Sequence, residues 1–162
     1  MQLSWTGLKI SIAGARLSHL AQKDKVWDSS SMIEHVRTVF QQLEKAKRKA
    51  QLKTVEKYMT VRSFECFEKN CNTAKSNSVR MLKQVFILDV RLKNKKKPDR
   101  FCSLLKGLET RLDNIIPFVV SETGRNFSER WLFIRQGEWW ILDEIKSDNS
   151  KLKNIHLLKY FL

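Results

Sequence analysis

Proline, glycine and long apolar runs are scarce in this sequence of 162 residues. With 2 Pro, 5 Gly and no internal repeat, the chain has no segment typical of a long flexible linker. No run of about 18 apolar residues occurs, so we expect no membrane-spanning helix. Core material is abundant, because 42% of the residues are hydrophobic, with 9 Phe and 5 Trp. The length and composition predict one folded domain.

Cysteine is also scarce, and the count of 3 is odd. The cysteines form no C-x-x-C pair, and the histidines do not join them at metal-binding spacing. These residues are Cys66, Cys71, Cys102, His19, His35 and His156. We therefore predict free thiols in a reducing compartment, no metal site and no cofactor. The sequence contains no phosphate-binding loop and no Ser-His-Asp arrangement.

Acidic residues are outnumbered, since 31 Lys and Arg face 17 Asp and Glu, which gives a formal net charge of +14. The first 23 residues contain no acidic residue at all. A charge of this size bears on partners rather than on the fold. It predicts an anionic target: a lipid surface, a nucleic acid or an acidic protein. A solvated, lysine-rich surface without a partner is the alternative.

Apolar periodicity changes once along the chain. Residues 32–48 show helical spacing, and Ser31 with Glu34 predicts a capping box at the start of that helix. A shorter helical stripe at 52–59 and a third helix capped by Thr60 follow. After Leu82 the period becomes two, which predicts strands at 85–92, 101–112, 127–135 and 138–145. We predict an α+β fold in which N-terminal helices pack on a strongly curved antiparallel sheet.

Two details of the predicted sheet concern packing. Gly107, inside the second strand, predicts a bulge or a close approach of two backbones. The last two strands are joined by a glycine-containing turn at 136–137, and their alternating side chains predict that Trp131, Phe133 and Leu142 belong to the core.

The closing hairpin carries the most specific pattern in the chain. Residues 127–145 read FSERWLFIRQGEWWILDEI. This run resembles the end of Tim forty-four-like domains, a branch of the nuclear-transport-factor-two-like cone folds, which close with Phe-x-Glu-x-Trp-x-Phe-x-Arg, a turn with Gly, and Trp-x-Leu-Asp-Glu-Ile. Upstream, Trp27-Asp28, the helix at 36–44 and Tyr58-Met59-Thr60 are similar to the opening helices of that family. The resemblance implies a cone domain at 28–147, an N-terminal extension at 1–27 and an apolar C-terminal tail at 148–162.

The same resemblance implies a non-catalytic binding scaffold, because known members of the family serve in protein transport at a mitochondrial membrane or tether ribosomes there. It implies a location at the periphery of a membrane, on the cytoplasmic face in a bacterium or in the mitochondrial matrix. A tether for a ribosome or an RNA backbone stays open as an alternative. A homodimer through the sheet or the C-terminal tail also stays open.

Two basic clusters contain no aromatic residue, which favours a point-charge surface over base stacking. One cluster follows the opening helix, and the other lies in a strand connection. We predict that they bind an anionic membrane surface or a protein partner, with RNA the less favoured partner. The predicted binding residues are Lys45, Lys47, Arg48, Lys49, Lys53, Lys95, Lys96 and Lys97.

Cone folds also include isomerases and dehydratases that act on small hydrophobic molecules, so catalysis is the alternative function. Its pocket candidates are Asp89, Glu129 and Tyr58. Strict alternation groups Leu88 with Val90 on one strand face. Asp89 takes the opposite face together with Ile87 and Arg91, and a strand carboxylate beside an arginine is usually structural. We predict that the chain is not an enzyme.

Overall fold

The computed structural model describes residues 4–73, 78–111 and 124–148, so the predicted tail after residue 148 lies outside the described residues. Its helices are α1 (Trp5–Ala21), α2 (Ser29–Lys49) and α3 (Val61–Thr73), with short 3₁₀ segments at Lys25–Trp27 and Leu52–Tyr58. Its strands are β1 (Ser78–Arg91), β2 (Arg100–Arg111), β3 (Arg125–Gln136) and β4 (Trp139–Ser147). All four form one antiparallel sheet in the order β1-β2-β3-β4. The predicted α+β fold, with helices packed on an antiparallel sheet, is confirmed.

Helix α2 begins three residues earlier than the sequence predicts. Its N-cap is Asp28, whose Oδ2 accepts hydrogen bonds from the Ser31 amide at 3.0 Å and from the Ser31 hydroxyl at 2.7 Å. These two bonds, the hydroxyl first, hold the pKa of Asp28 below its ordinary value. The predicted cap at Ser31 is wrong, because a carboxylate accepts stronger hydrogen bonds than a hydroxyl and complements the positive end of the helix dipole.

The apolar stripe of α2 lies against one face of the sheet and forms the core with it. Its buried hydrophobic members are Met32, Val36, Val39, Phe40, Leu43 and Ala46. The ring of Phe40 lies 5.8 Å from that of Trp131 on β3, measured between centroids. Trp131, Phe133 and Leu142 are at most 1% exposed, so their predicted place in the core is confirmed.

The sequence sets residues 1–27 apart as an extension, whereas in the structure much of this stretch contributes to the same core. Ala13 and Leu17 of α1 are buried in the cluster that α2 forms with the sheet, and so is Trp27. The guanidinium of Arg16 donates to the Val90 carbonyl at 2.7 Å, which fastens α1 to an outer strand. Apolar residues lie on both the buried and the exposed side of α1, so its sequence shows no single amphipathic stripe.

Strand β1 does not alternate strictly, because its register against β2 shifts twice, at Leu82/Gln84 and at Ile87/Asp89. Each β-bulge adds one residue and reverses the faces of the residues that follow. Ile87 therefore shares the core face with Val90. The predicted place of Ile87, on the face opposite to Val90 together with Asp89 and Arg91, is wrong for this reason.

Gly107 on β2 lies at a very close contact with its neighbours. A Cβ atom at this position would be 2.0 Å from the carbonyl oxygen of Met81 and 2.7 Å from the ring of Phe127. The absence of a side chain lets the Phe127 ring lie directly over the strand. The predicted close approach at Gly107 is confirmed.

We expect Gly107→Ala to destabilise the domain by about 1–3 kcal/mol, because the methyl group overlaps backbone atoms that have little room to move. Urea denaturation of both proteins measures the change. Gly14→Ala is the matched control: nothing lies within 4 Å of its Cβ position, and alanine favours a helix interior. Equal loss of stability in the two variants would contradict the role of Gly107.

The outer edge of β4 is capped by two groups from the helical layer. The Thr60 amide donates to the Leu142 carbonyl at 2.9 Å. Nε2 of His35 lies 2.7 Å from the Trp140 carbonyl oxygen, and because a carbonyl only accepts, Nε2 carries the proton. Burial lowers the pKa of His35 below its ordinary value, although the bond to Trp140 opposes that effect.

Because the pKa of His35 is lower in the folded protein than in the unfolded chain, the unfolded chain binds this proton more readily. The stabilisation is complete above the unfolded pKa of about 6.5 and is lost as the pH falls below it. The side-chain amide of His35→Gln can still donate to Trp140 but does not titrate. Between neutral and mildly acidic pH, we therefore expect its free energy of unfolding, measured with urea, to fall less than that of wild type. The exposed His19→Gln is the control and should keep the wild-type slope. An unchanged slope in His35→Gln would contradict this prediction.

Candidate functional site

The strand connection between β1 and β2 is a built turn, which we call the lysine loop (residues 93–98). Asn94 Oδ1 accepts hydrogen bonds from the Lys96 amide at 3.1 Å and the Lys97 amide at 3.0 Å. The Asn94 amide donates in turn to the Lys97 carbonyl at 3.0 Å. This side-chain turn fixes the backbone that carries the three central lysines.

A buried aspartate fastens the lysine loop to the body of the domain. Asp99 is 8% exposed; its Oδ1 accepts from the Lys93 amide at 2.6 Å and its Oδ2 from Arg135 Nη1 at 3.0 Å. Arg135 Nη1 also reaches Asp24, at 2.8 Å. The Val26 amide and then Arg135 hold the pKa of Asp24 below its ordinary value. One arginine therefore joins the loop, β3 and the segment after α1.

The charge of the lysine loop is available to a partner. Lys95, Lys96 and Lys97 are all exposed. Within the described part of the chain, none of the three forms an ion pair. The structure thus presents them as three unneutralised cations on a hydrogen-bonded turn.

The basic residues after the opening helix differ in how free they are. Lys47 lies 3.0 Å from Glu44 Oε1 and 5.9 Å from the centre of the Phe67 ring, so its charge is partly used inside the protein. The others are exposed, and none forms an ion pair with another described residue. We call them the α2 basic cluster: Lys45, Arg48, Lys49 and Lys53.

The structure separates the two basic clusters that the sequence groups as one binding surface. Near its start, α2 meets the sheet through His35 and Trp140, at the end where Arg91 pairs with Arg100 beside the lysine loop. Near its other end, Glu44 approaches Arg80 at 3.7 Å. A helix of 21 residues is about 30 Å long, so the clusters lie at opposite ends of the sheet.

The three pocket candidates of the enzyme alternative do not meet. Asp89 is half-exposed and accepts from Arg91 Nε at 2.9 Å, on the face opposite to the core residue Val90. Glu129 faces the core side, where it pairs with Arg80. Tyr58 is half-buried in the 3₁₀ segment before α3.

Glu129 belongs to a compact ionic group beside a cleft of about 2630 Å³. The Arg80 guanidinium lies over the neighbouring rings of Phe127 and Phe40, at 4.1 and 5.4 Å from their centres. It contacts both Glu129 and Glu44. Each carboxylate already has a cationic partner, so this group serves packing better than proton transfer.

Two of the three thiols, those of Cys71 and Cys102, are not activated as nucleophiles. Burial raises the pKa of Cys71 and of Cys102, which favours the protonated thiol. The described residues also include no group of three or more His, Cys, Asp or Glu placed to hold a metal ion.

Helix α1 exposes an apolar stripe that the sequence reading missed. Trp5, Leu8 and Ile12 are 67%, 42% and 52% exposed, and their spacing puts them on one side of the helix. Ala13 and Leu17 occupy the buried side. The spacing, together with the absence of acidic residues from α1, was the available signal. We call these three residues the α1 stripe. None of the described helices is long and apolar enough to cross a membrane.

Comparison with known proteins gives little. No family model and no curated protein matches the chain. Among solved structures, the intermembrane space region of the chloroplast protein ARC6 is similar with a TM-score of 0.47 and 11% sequence identity. The match covers 72% of this chain and 97% of that chain, and the likeness is weak and at the level of the fold.

We expect Asn94→Ala to loosen the lysine loop without unfolding the domain. Losing the two hydrogen bonds to Oδ1, each worth about 0.5–1.5 kcal/mol, should speed amide hydrogen exchange at Lys96 and Lys97 by about tenfold. Lys95→Ala is the control, because it shortens a loop side chain and leaves the turn intact. Equal exchange rates in wild type and Asn94→Ala would show that Asn94 does not order the loop.

Proposed function

We propose that the chain is a non-catalytic binding scaffold held at the periphery of an anionic membrane surface, in a system of protein transport or membrane tethering. The observation that carries the proposal is the α1 stripe. It places exposed tryptophan, leucine and isoleucine on a helix with no acidic residue. The resemblance of the closing hairpin to Tim forty-four-like domains supports the scaffold role.

The α1 stripe combines a tryptophan with two large aliphatic side chains, and such side chains insert into the interface of a membrane. Lys9 and Arg16 lie close to the stripe on the helix surface, because Lys9 is three residues before Ile12 and Arg16 is four residues after it. Moving a half-exposed apolar side chain from water into the acyl boundary contributes about 1 kcal/mol. Three such side chains give useful but reversible binding.

The lysine loop would add the electrostatic part of the attraction. Arg16 bonds the carbonyl of Val90, and the loop begins three residues further along, so α1 and the loop approach each other at the same edge of the sheet. Near an anionic bilayer each lysine contributes about 1 kcal/mol, and salt screens this attraction. Apolar and charged contacts add up, so membrane binding does not require either kind to be strong alone.

Paired carboxylates support a scaffold rather than an enzyme. Asp89 is occupied by Arg91, and Glu129 is occupied by Arg80. A general acid or base needs a carboxylate free to exchange its proton with a substrate. In this proposal the same residues stabilise the fold.

Sedimentation with vesicles tests the proposal, using phosphatidylcholine alone and phosphatidylcholine mixed with phosphatidylglycerol at low and high salt. We expect wild type to bind only the anionic vesicles, and less at high salt. Lys95→Glu/Lys96→Glu/Lys97→Glu should weaken binding on the order of a hundredfold, because three attractive charges become repulsive. Trp5→Ser/Leu8→Ser/Ile12→Ser should weaken vesicle binding at least about tenfold. The loss should be largest in the binding that remains at high salt, because apolar contacts are not screened.

The control variant is Val61→Ser/Met81→Ser, which removes two exposed apolar side chains from other elements. It should bind vesicles as wild type does, and circular dichroism should confirm that every variant is folded. If folded wild type stays in solution with anionic vesicles at low salt, the membrane proposal is wrong.

A further inference from the structure

The α2 basic cluster lies at the far end of the sheet from the lysine loop, and helix-end electrostatics explains only part of it. Cations in the last turn of a helix complement its dipole, which accounts for Arg48 and Lys49. Lys45 precedes the last turn, and Lys53 lies beyond the helix. All four are exposed and without an ion pair among the described residues. Their charge is therefore free for a partner.

A mainly apolar groove of about 530 Å³ lies beside this cluster. It exists because α2 ends in a turn: Ala50 has the left-handed φ of 52°, and the Gln51 amide bonds back to the Ala46 carbonyl at 3.0 Å. The residues that line the groove are Ala50, Gln51, Leu52, Lys53, Thr54, Glu68 and Asn72. Cations and an apolar recess thus occur side by side.

We infer that this surface docks an acidic peptide segment of a partner protein, with one apolar side chain in the groove and its carboxylates on the α2 basic cluster. The α1 stripe lies on a different helix from this groove. Glu68, the only acidic side chain that lines the groove, would repel the peptide carboxylates and direct them toward Arg48 and Lys49.

With this docking surface the scaffold has two binding ends, and in this respect the docking surface rests on the proposed function. The lysine loop and the α2 basic cluster are separated by the length of α2, about 30 Å. A membrane and an acidic protein segment can then be held at the same time, because neither occupies the surface of the other. Peptide binding itself needs no membrane, so it is measurable in solution.

Fluorescence anisotropy with three labelled synthetic peptides tests the docking surface. The first peptide combines Glu with two Leu, the second replaces Leu with Gly, and the third replaces Glu with Lys. We expect folded wild type to bind the first peptide, to bind the second more weakly and not to bind the third. Lys45→Glu/Arg48→Glu/Lys49→Glu should weaken binding of the first peptide by about tenfold or more, because three attractive charge pairs are lost. Leu52→Ser, checked for folding, should remove the preference for leucine.

The matched control is Lys95→Glu/Lys96→Glu/Lys97→Glu, which changes the net charge by the same amount at the other end of the sheet. It should keep peptide binding and lose vesicle binding, and the α2 variant should do the reverse. Equal loss of peptide binding in both variants overturns the inference in favour of unspecific charge attraction. Tighter binding of oligouridylate than of the first peptide, sensitive to the α2 variant, also overturns it, in favour of an RNA backbone. Failure of vesicle binding alone contradicts only the proposed function.

Discussion

A continuous layer of aromatic rings holds the fold together. Trp140 on β4 lies 5.0 Å from Trp27 and 4.9 Å from Phe101, and Phe101 stacks on Phe133 at 5.0 Å, all between ring centres. These contacts join the segment before α2 to three strands. Trp140 also donates its indole N–H to the Val26 carbonyl at 3.1 Å, so the ring is oriented as well as buried. The segment before α2 is thereby held against the sheet by both ring packing and a hydrogen bond.

Charge organises the rim of the domain as the aromatic layer organises its interior. Arg135 bonds Asp24 and Asp99 at one end, and Arg80 bonds Glu44 and Glu129 at the other. Both arginines use acids that are distant in sequence. With 17 acidic residues against 31 basic ones, the pairing of several acids inside the fold leaves the excess cations on the surface. The basic surfaces thus consist of the cations that have no acidic partner within the fold.

The sequence predicted the fold class, the core of the closing hairpin and the close approach at Gly107. Regular periodicity and a glycine inside a strand pattern are both local signals that can be read from the sequence. It did not predict the place of α1, because Ala13 and Leu17 form a stripe too small to stand out. It also placed Ile87 on the wrong face of β1, since a β-bulge cannot be recognised from periodicity alone. The two basic clusters looked equivalent in sequence. Their separation follows from the direction of α2 across the sheet, which is a long-range property.

The two outer strands of the sheet have caps on their exposed backbone. Arg16 occupies the Val90 carbonyl on β1, while His35 and Thr60 occupy the carbonyls of Trp140 and Leu142 on β4. Open strand edges are templates for intermolecular β-pairing and fibre growth. In the proposed membrane-bound state, the chain would meet its own copies at far higher local concentration than in solution. The bonded carbonyls of Val90, Trp140 and Leu142 shorten the stretch of each edge that a second copy could pair with.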